Sequence, residues 1–289
     1  MALLLEGKNC VITSGAHGLG FAIAKLFAEQ GARVAICGRS SSGVQSGEEL
    51  SVITKGSFFF QCDLSDLDQV NRFGDEVIRR MGCVDVLVNC VGTNIRESLT
   101  EIRMENFDFV QNVNLKAAIV LLEKVLPVMI KNGVRGSIVN ISSIHSIAPA
   151  AAMGAYASSK GALNALSRVL AIEVGKYGIR TNTLCPGWIA TTYIYHDLGE
   201  LRHNREKQYA ELEKLNGSAP CLSPARAEDV AMHALFFASN MSAYMTGSTI
   251  MDDGGASLQT HYTVFSEPDC AYEMRRALYD AILKSEYAK

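Results

Sequence analysis

Tyr156-Ala157-Ser158-Ser159-Lys160 sets a phenol and an ammonium four residues apart, on one face of any helix that carries both. A free tyrosine ionises near pH ~10 and is a poor acid–base group in neutral water. A neighbouring Lys⁺ stabilises the phenolate and is expected to draw that value down. The spacing alone is cheap in a chain with ten tyrosines, so context decides. Ser142-Ser143 follows a strand-like run, and Ser143 stands thirteen residues ahead of the tyrosine. A hydroxyl at the carboxyl end of a strand is well placed to hydrogen-bond a substrate carbonyl or alcohol.

A second chemical signal lies near the amino terminus. Thr13-Ser14-Gly15-Ala16-His17-Gly18-Leu19-Gly20 falls between a strand and a helix. Glycines there let backbone N–H groups and the positive helix end approach a pyrophosphate, and Gly20 lets the helix lie close to a sheet. The next strand ends at Gly38-Arg39-Ser40-Ser41-Ser42. An NAD site wants an acid at this point for the ribose 2′-OH, whereas an NADP site wants room and positive charge. Gly38 removes the carboxylate, Arg39 can pair with a 2′-phosphate, and the serines add hydroxyl donors. NADP(H) is therefore the preferred cofactor, with NAD(H) the alternative.

The elements that must position these groups follow from hydropathy. Strands are expected at Cys10–Thr13, Arg33–Cys37, Phe58–Cys62, Val84–Val88, Ser137–Ile141, Thr181–Cys185 and Ser248–Met251. Helices are expected at Gly18–Gln30 with Gly31 as C-cap, from a Ser65/Asp68 capping pattern to Met81, and at Asn106–Lys131, Gly154–Tyr177 and Ala227–Asn240. Ala271, Met274, Ala277, Leu278, Ile282 and Leu283 suggest a terminal helix within an extension at 256–289. Seven strands alternating with six helices make a single doubly wound α/β domain with a parallel sheet, which binds ligands beyond the carboxyl ends of its strands. The charged stretch within 188–225 reads equally as a solvated helix face or as a lid over the substrate.

Composition narrows the partners. With 289 residues, 48% hydrophobic and 20% charged, the chain is long and apolar enough for a large core. Twenty-seven basic against 30 acidic side chains leave a net charge of −3, which gives no electrostatic case for nucleic acid or an anionic membrane. Eight cysteines, none in a C-x-x-C, argue against a zinc or haem site and for buried reduced thiols, so no metal is expected. Ala2–Leu5 is too short an apolar run for a signal peptide, and no stretch reaches the ~18 apolar residues that span a bilayer. A cytoplasmic location is the expectation.

Together these motifs resemble the classical short-chain dehydrogenase/reductase family, over Gly7 to about Gly255. The family's phosphate turn T-G-x-x-x-G-x-G falls on Thr13–Gly20, its adenine-contacting Asp on Asp63 with Leu64 beside it, and its N-N-A-G on Asn89-Cys90-Val91-Gly92. Its Asn-Ser-Tyr-Lys tetrad falls on Asn114, Ser143, Tyr156 and Lys160, and its P-G-x-x-x-T element on Pro186, Gly187 and Thr191, with Ile189 and Thr191 near the nicotinamide amide.

The resemblance implies a Rossmann fold over residues 1–255 and an alcohol/ketone oxidoreductase running mainly as a reductase in cells. Tyr156 would be the acid–base group, and Ser143 would orient the reacting oxygen. Lys160 would hold the nicotinamide ribose, and Asn114 would fix a proton-relaying water. It also implies pairing of long helices into a dimer or homotetramer. Ser14, standing where the family has glycine, and Cys90-Val91 depart from its motifs. A different class, a cofactor-binding regulatory or scaffolding protein with little catalysis, is the competing reading. His17 fits a basic position next to the phosphates or a plain turn. His145, His196, Trp188, Tyr193, Tyr195 and Arg96 are candidates for the walls of the cleft.

Overall fold

The structure, a computed structural model, describes residues 3–190 and 225–258. Seven strands form one parallel sheet: β1 (Asn9–Ile12), β2 (Arg33–Gly38), β3 (Phe58–Gln61), β4 (Val86–Asn89), β5 (Ser137–Ile141), β6 (Arg180–Pro186) and β9 (Thr249–Asp252). Their order is β3-β2-β1-β4-β5-β6-β9, so the winding reverses between β1 and β4. A reversal of this kind opens a crevice at the carboxyl ends of the strands. A separate short parallel pair joins β7 (Ile189–Ala190) to β8 (Ala225–Arg226), which the sequence pattern had not suggested.

Each central strand is apolar on both sides because both faces of the sheet are covered. Cys10, Ile12, Val34, Ile36, Val86, Val88 and Val139 face one core, shared with helix α1 (Gly18–Glu29) and α7 (Ala227–Ala238). Val11, Ala35, Cys37, Leu87 and Ile138 face the other, built with α3 (Leu67–Met81), α5 (Ala117–Lys131) and α6 (Gly154–Gly175). The seven expected strands and the α/β doubly wound class are present.

Several helices depart from expectation for identifiable reasons. Helix α2 (Gly43–Ile53) had no sequence signal: of its residues only Gly43, Gly47 and Leu50 are buried. It meets β3 through glycine rather than through an apolar stripe, and a Cβ on Gly47 would lie 2.7 Å from Phe59 Cβ and 2.8 Å from its backbone N. The cap of α3 is Asp66, not Ser65; Asp66 accepts from the N–H groups of Asp68 and Gln69, while Ser65 bonds Asp63. The long helix expected at 106–131 is three pieces, α4 (Met104–Gln111), a π turn (Asn112–Lys116) and α5. Gly31, with φ of 86°, sits just past the α1 C-cap as its chemistry suggested. Most of the stretch 188–225 and the terminal helix within 256–289 lie outside the described residues.

The glycine contact between α2 and β3 can be tested directly. Alanine favours helix over glycine by ~1 kcal/mol, yet Gly47→Ala is expected to lose about 1–3 kcal/mol by overpacking Phe59. Urea denaturation measures this, and a neutral or stabilised variant would refute the close approach.

Candidate active site

One end of the crevice forms where β1 gives way to α1. Gly15 sits so close to β2 that a Cβ would lie 2.5 Å from Ile36 Cγ2, and a Cβ on Gly20 would run into the Ser14 carbonyl. Gly18 takes a left-handed φ of 53°, and Ser14 takes one of 52°. His17 at the α1 N-cap makes no side-chain cap, and no acid occupies the first turn. The positive end of this twelve-residue helix is thus left for an anion. Thr13 ties the turn to β4: its Oγ1 accepts from the Cys90 N–H at 2.9 Å, and its own N–H donates to the Val88 carbonyl at 3.0 Å. Half-buried Leu19 packs against the α1 core.

At the end of β2, Gly38 approaches Ala16, and Arg39 is exposed with no side-chain partner among the described residues. Beside it Ser42 Oγ donates to Ser40 Oγ at 2.9 Å and lies 3.2 Å from His17 Nε2. Asp63 follows β3, with Oδ1 accepting from both the N–H and the hydroxyl of Ser65, and Leu64 is buried behind it. Asn89, at the end of β4, donates to Asn140 Oδ1 at 2.8 Å while its own Oδ1 has no partner. Glycines in the turn, the open amino end of α1 and a guanidinium with no side-chain partner among the described residues suit a dinucleotide phosphate.

The reaction end is assembled from four elements. Helix α6 carries Tyr156 and Lys160 on one face. Lys160 is buried, and its Nζ donates to the carbonyls of Val91 and Ile141, both at 2.8 Å, bridging the ends of β4 and β5. Nζ stands 5.9 Å from the Tyr156 ring centroid. A Cβ on Gly92 would lie 3.5 Å from Nζ and 3.9 Å from Tyr156 Cε2, so Gly92 floors the space between them. Ser143 caps a short turn after β5, where its Oγ accepts from the His145 N–H at 3.2 Å. Asn114 is fully buried in the π turn: Oδ1 accepts from Thr93 N–H at 2.8 Å, and Nδ2 donates to Thr93 O and Ser159 Oγ, each at 2.9 Å. The His145 ring meets the Tyr156 ring edge-on at 6.2 Å. Pro186 closes β6, the Gly187 N–H donates to Asp252 O at 3.0 Å, and half-buried Ile189 follows the exposed Trp188. Thr191, Tyr193, Tyr195 and His196 lie outside the described residues.

Burial governs the electrostatics here. Loss of water pushes the Tyr156 phenol upward, and a hydrogen bond with Ser143 pulls it back. This corrects the expectation that Lys160 draws it down: the dehydration of the phenol is the largest influence and outweighs the pull of Ser143. Dehydration lowers Lys160 to about 8, with the thiols of Cys90 and Cys185 acting weakly the other way. Cys90 itself is pushed up to about 12 by burial, with Lys160 opposing. His145 is lowered by burial, against the carbonyl of Ala148, which favours its charged form. Among the described residues no cluster of His, Cys, Asp and Glu could hold a metal.

Comparison with known proteins identifies the family. A family profile described as "Enoyl-(Acyl carrier protein) reductase" matches residues 15–257. Glucose 1-dehydrogenase of Gluconobacter oxydans is 33% identical over 87% of this chain and 92% of its own. L-Rhamnose 1-dehydrogenase (NADP(+)) of Thermoplasma acidophilum is 34% identical over 86% and 96%. A solved short chain dehydrogenase/reductase family protein superposes with a TM-score of 0.75 at 31% identity, over 89% of this chain and 100% of that one. The chain belongs to the short-chain dehydrogenase/reductase family.

The departures from that family's motifs acquire a physical reading. Ser14 stands where the short-chain dehydrogenases have glycine and adopts the glycine-like left-handed backbone, at a strain of about 1–2 kcal/mol. Cys90 and Val91 alter side chains in a segment whose polar work is done by main chain, the Cys90 N–H and the Val91 carbonyl. That is also why sequence reasoning missed Val91 and Ile141 as partners of Lys160: a carbonyl leaves no side-chain signature. Thr93, held through its backbone by Asn114, was missed for the same cause.

The buried ammonium predicts a pH dependence. Below about 8 Lys160 is protonated folded and unfolded, and the full cost of burying it is carried. From about 8 towards the ordinary 10.5, the folded lysine sheds its proton while the unfolded one keeps it, so stability rises relative to a chain without the group. In the cofactor-free protein, urea denaturation should show the wild type gaining on Lys160→Met between pH 8 and 10. A constant difference would mean that the ammonium is not dehydrated as described.

Proposed function

We propose that this protein is an NADP(H)-dependent oxidoreductase that moves a hydride between the nicotinamide and a secondary alcohol or ketone, with Tyr156 as general acid and base. The reading rests on one observation above all: Tyr156, whose phenol Ser143 makes more acidic, shares the floor at Gly92 with a buried lysine ammonium. Ser143 Oγ already accepts from the His145 N–H, which leaves its own proton for an oxygen in front of it. In reduction, Ser143 steadies the substrate carbonyl and the Tyr156 hydroxyl gives up its proton to the same oxygen. Lys160 offsets the phenolate charge so produced, and two of its three N–H bonds are fixed by Val91 and Ile141, leaving the third for a ribose hydroxyl or a water. Asn114 keeps Thr93 and Ser159 in place beside this group. Oxidation runs the same proton path backwards. When bound, the nicotinamide supplies or takes up the hydride.

Thr13, Ser14, Gly15, His17, Gly18, Leu19 and Gly20 would line the pyrophosphate, and Asp63 and Leu64 the adenine. Asn89, Gly92, Pro186, Gly187, Ile189 and Thr191 would line the nicotinamide half. Gly38, Arg39 and Ser40 favour NADP(H) because the end of β2 offers no carboxylate and a guanidinium without a side-chain partner among the described residues. The relative named for NADP(+) agrees with that choice. The sugar dehydrogenases among the relatives favour a small hydroxylated substrate, with residues 188–225 as its lid and 256–289 as an appendage to the 1–255 domain.

The protein would work in the cytoplasm as a homo-oligomer, a dimer or tetramer, without nucleic acid or membrane partners. Among the described residues no helix is long and apolar enough to cross a membrane. An apolar groove lined by Ile119, Leu122, Leu126, Pro127, Leu166 and Leu170 along α5 and α6 supports association through those helices.

Two measurements test this reading. Tyr156→Phe should lower turnover by at least ~10²-fold while NADPH still quenches the fluorescence of Trp188, the single tryptophan; unimpaired turnover would end the mechanism. Arg39→Ala should weaken NADPH by about 10- to 100-fold and leave NADH nearly unchanged, as expected for a lost charge-assisted bond. Equal effects on both nucleotides would overturn the assignment of the 2′-phosphate.

A further inference from the structure

Helix α6 presents three polar side chains at four-residue intervals, Tyr156, Lys160 and Asn164. The first two belong to the proposed reaction centre, and the third is not explained by it. Asn164 is 5% exposed, and its Nδ2 donates to Ser146 Oγ at 2.9 Å. Ser146 Oγ in turn donates to the Ser143 carbonyl at 2.6 Å, and the Ser146 N–H donates to the same carbonyl at 3.0 Å. The thiol of Cys185, at the end of β6, backs both side chains at 3.6 Å from Ser146 Oγ and 3.9 Å from Asn164 Nδ2. One residue earlier, Ser142 Oγ donates to the Lys160 carbonyl at 3.1 Å.

We propose that Asn164 and Ser146 are positioning residues that clamp the Ser143 turn to α6 and so fix the distance between the Ser143 hydroxyl and Tyr156. An amide N–H can only donate, so Ser146 must accept from Asn164 and send its own proton to Ser143. The chain of bonds has one polarity and one resting arrangement. Without it, the Ser143 turn keeps the Ser142 clasp and bonds within the turn itself, including that from the His145 N–H to Ser143 Oγ, but loses its side-chain tie to Asn164, so the turn can shift against α6. Reacting groups are sensitive to drift on this scale, since a displacement of about 1 Å can cost 10²-fold in rate. The clamp also explains why a buried asparagine persists one turn beyond Lys160, where an apolar side chain would pack at lower cost.

This inference rests on the proposed pairing of Ser143 with Tyr156, and the test separates the two. Protein carrying ¹³Cζ-tyrosine is saturated with NADP⁺, and the Tyr156 resonance, assigned by its loss in Tyr156→Phe, is titrated with pH. Ser143→Ala should move the Tyr156 midpoint upward by about one pH unit, the worth of a hydrogen bond to a charged oxygen. Asn164→Leu and Ser146→Ala should each move it in the same direction, Ser146→Thr should restore it, and Asn164→Leu should add nothing in a Ser143→Ala background. If Ser143→Ala leaves the midpoint alone, the pairing with Tyr156 is wrong and the clamp falls with it. If Ser143→Ala shifts it while Asn164→Leu and Ser146→Ala do not, the clamp alone is refuted. Additivity in the double variant refutes it equally. Should Asn164→Leu fail to fold, the half-buried Ser146 carries the same comparison through its alanine and threonine variants.

Discussion

A single ammonium buried at the join of three elements organises this molecule. Lys160 reaches from α6 into the crevice and is held by carbonyls at the ends of β4 and β5. Burying a cation is costly, and here two main-chain acceptors offset only part of the cost, which is why its proton is held so loosely. Tyr156 one turn earlier, Gly92 beneath it and the turn after β5 are all placed with reference to that contact. A core designed for stability alone would have an apolar side chain at this point. The cost becomes intelligible if a positive charge is needed beside a phenol that must ionise, a compromise between stability and chemistry that recurs at active sites.

The topology brings the two halves of the site together. Because the winding reverses between β1 and β4, the turn after β1 and the segment after β4 diverge from neighbouring strands and leave a crevice between them. Thr13 spans that divergence, accepting from Cys90 on one side while its backbone continues the β1–β4 ladder on the other. The turn after β1 and the segment that holds Lys160 are therefore one hydrogen-bonded unit. A nucleotide lying along it would contact both without any rearrangement of the sheet.

The sequence was most informative where side-chain chemistry or periodicity carries the structure. Strands covered on both faces announce themselves as continuous apolar runs, and all seven were readable. The Tyr156–Lys160 spacing was legible only through its context, a hydroxyl at Ser143 after a strand-like run and a glycine turn earlier in the chain. What escaped was carried by backbone or by absence. Helix α2 packs through Gly43 and Gly47, residues that read as loop, because close approach to Phe59 excludes the side chains that would have signalled a helix. The π turn holding Asn114 changes hydrogen-bond register without changing hydropathy. The direction of the Tyr156 shift depends on how much water the fold removes, which no spacing encodes.

The competing picture, a protein that binds a nucleotide and does no chemistry, can be weighed on energetic grounds. Such a protein would need the glycine turn and the end of β2, and nothing in that region depends on Tyr156 or Ser143. The reaction end, by contrast, holds a dehydrated phenol and a dehydrated lysine, with the fully buried Asn114 bonded to Thr93 and Ser159. The buried ammonium in particular costs the fold stability relative to an apolar replacement. Ser14 adds strain at the other end of the crevice, where the backbone must turn left-handed to clear the helix. Unfavourable features scattered over a surface would suggest neglect. Concentrated along one crevice, they fit the proposed proton transfer better than nucleotide binding alone.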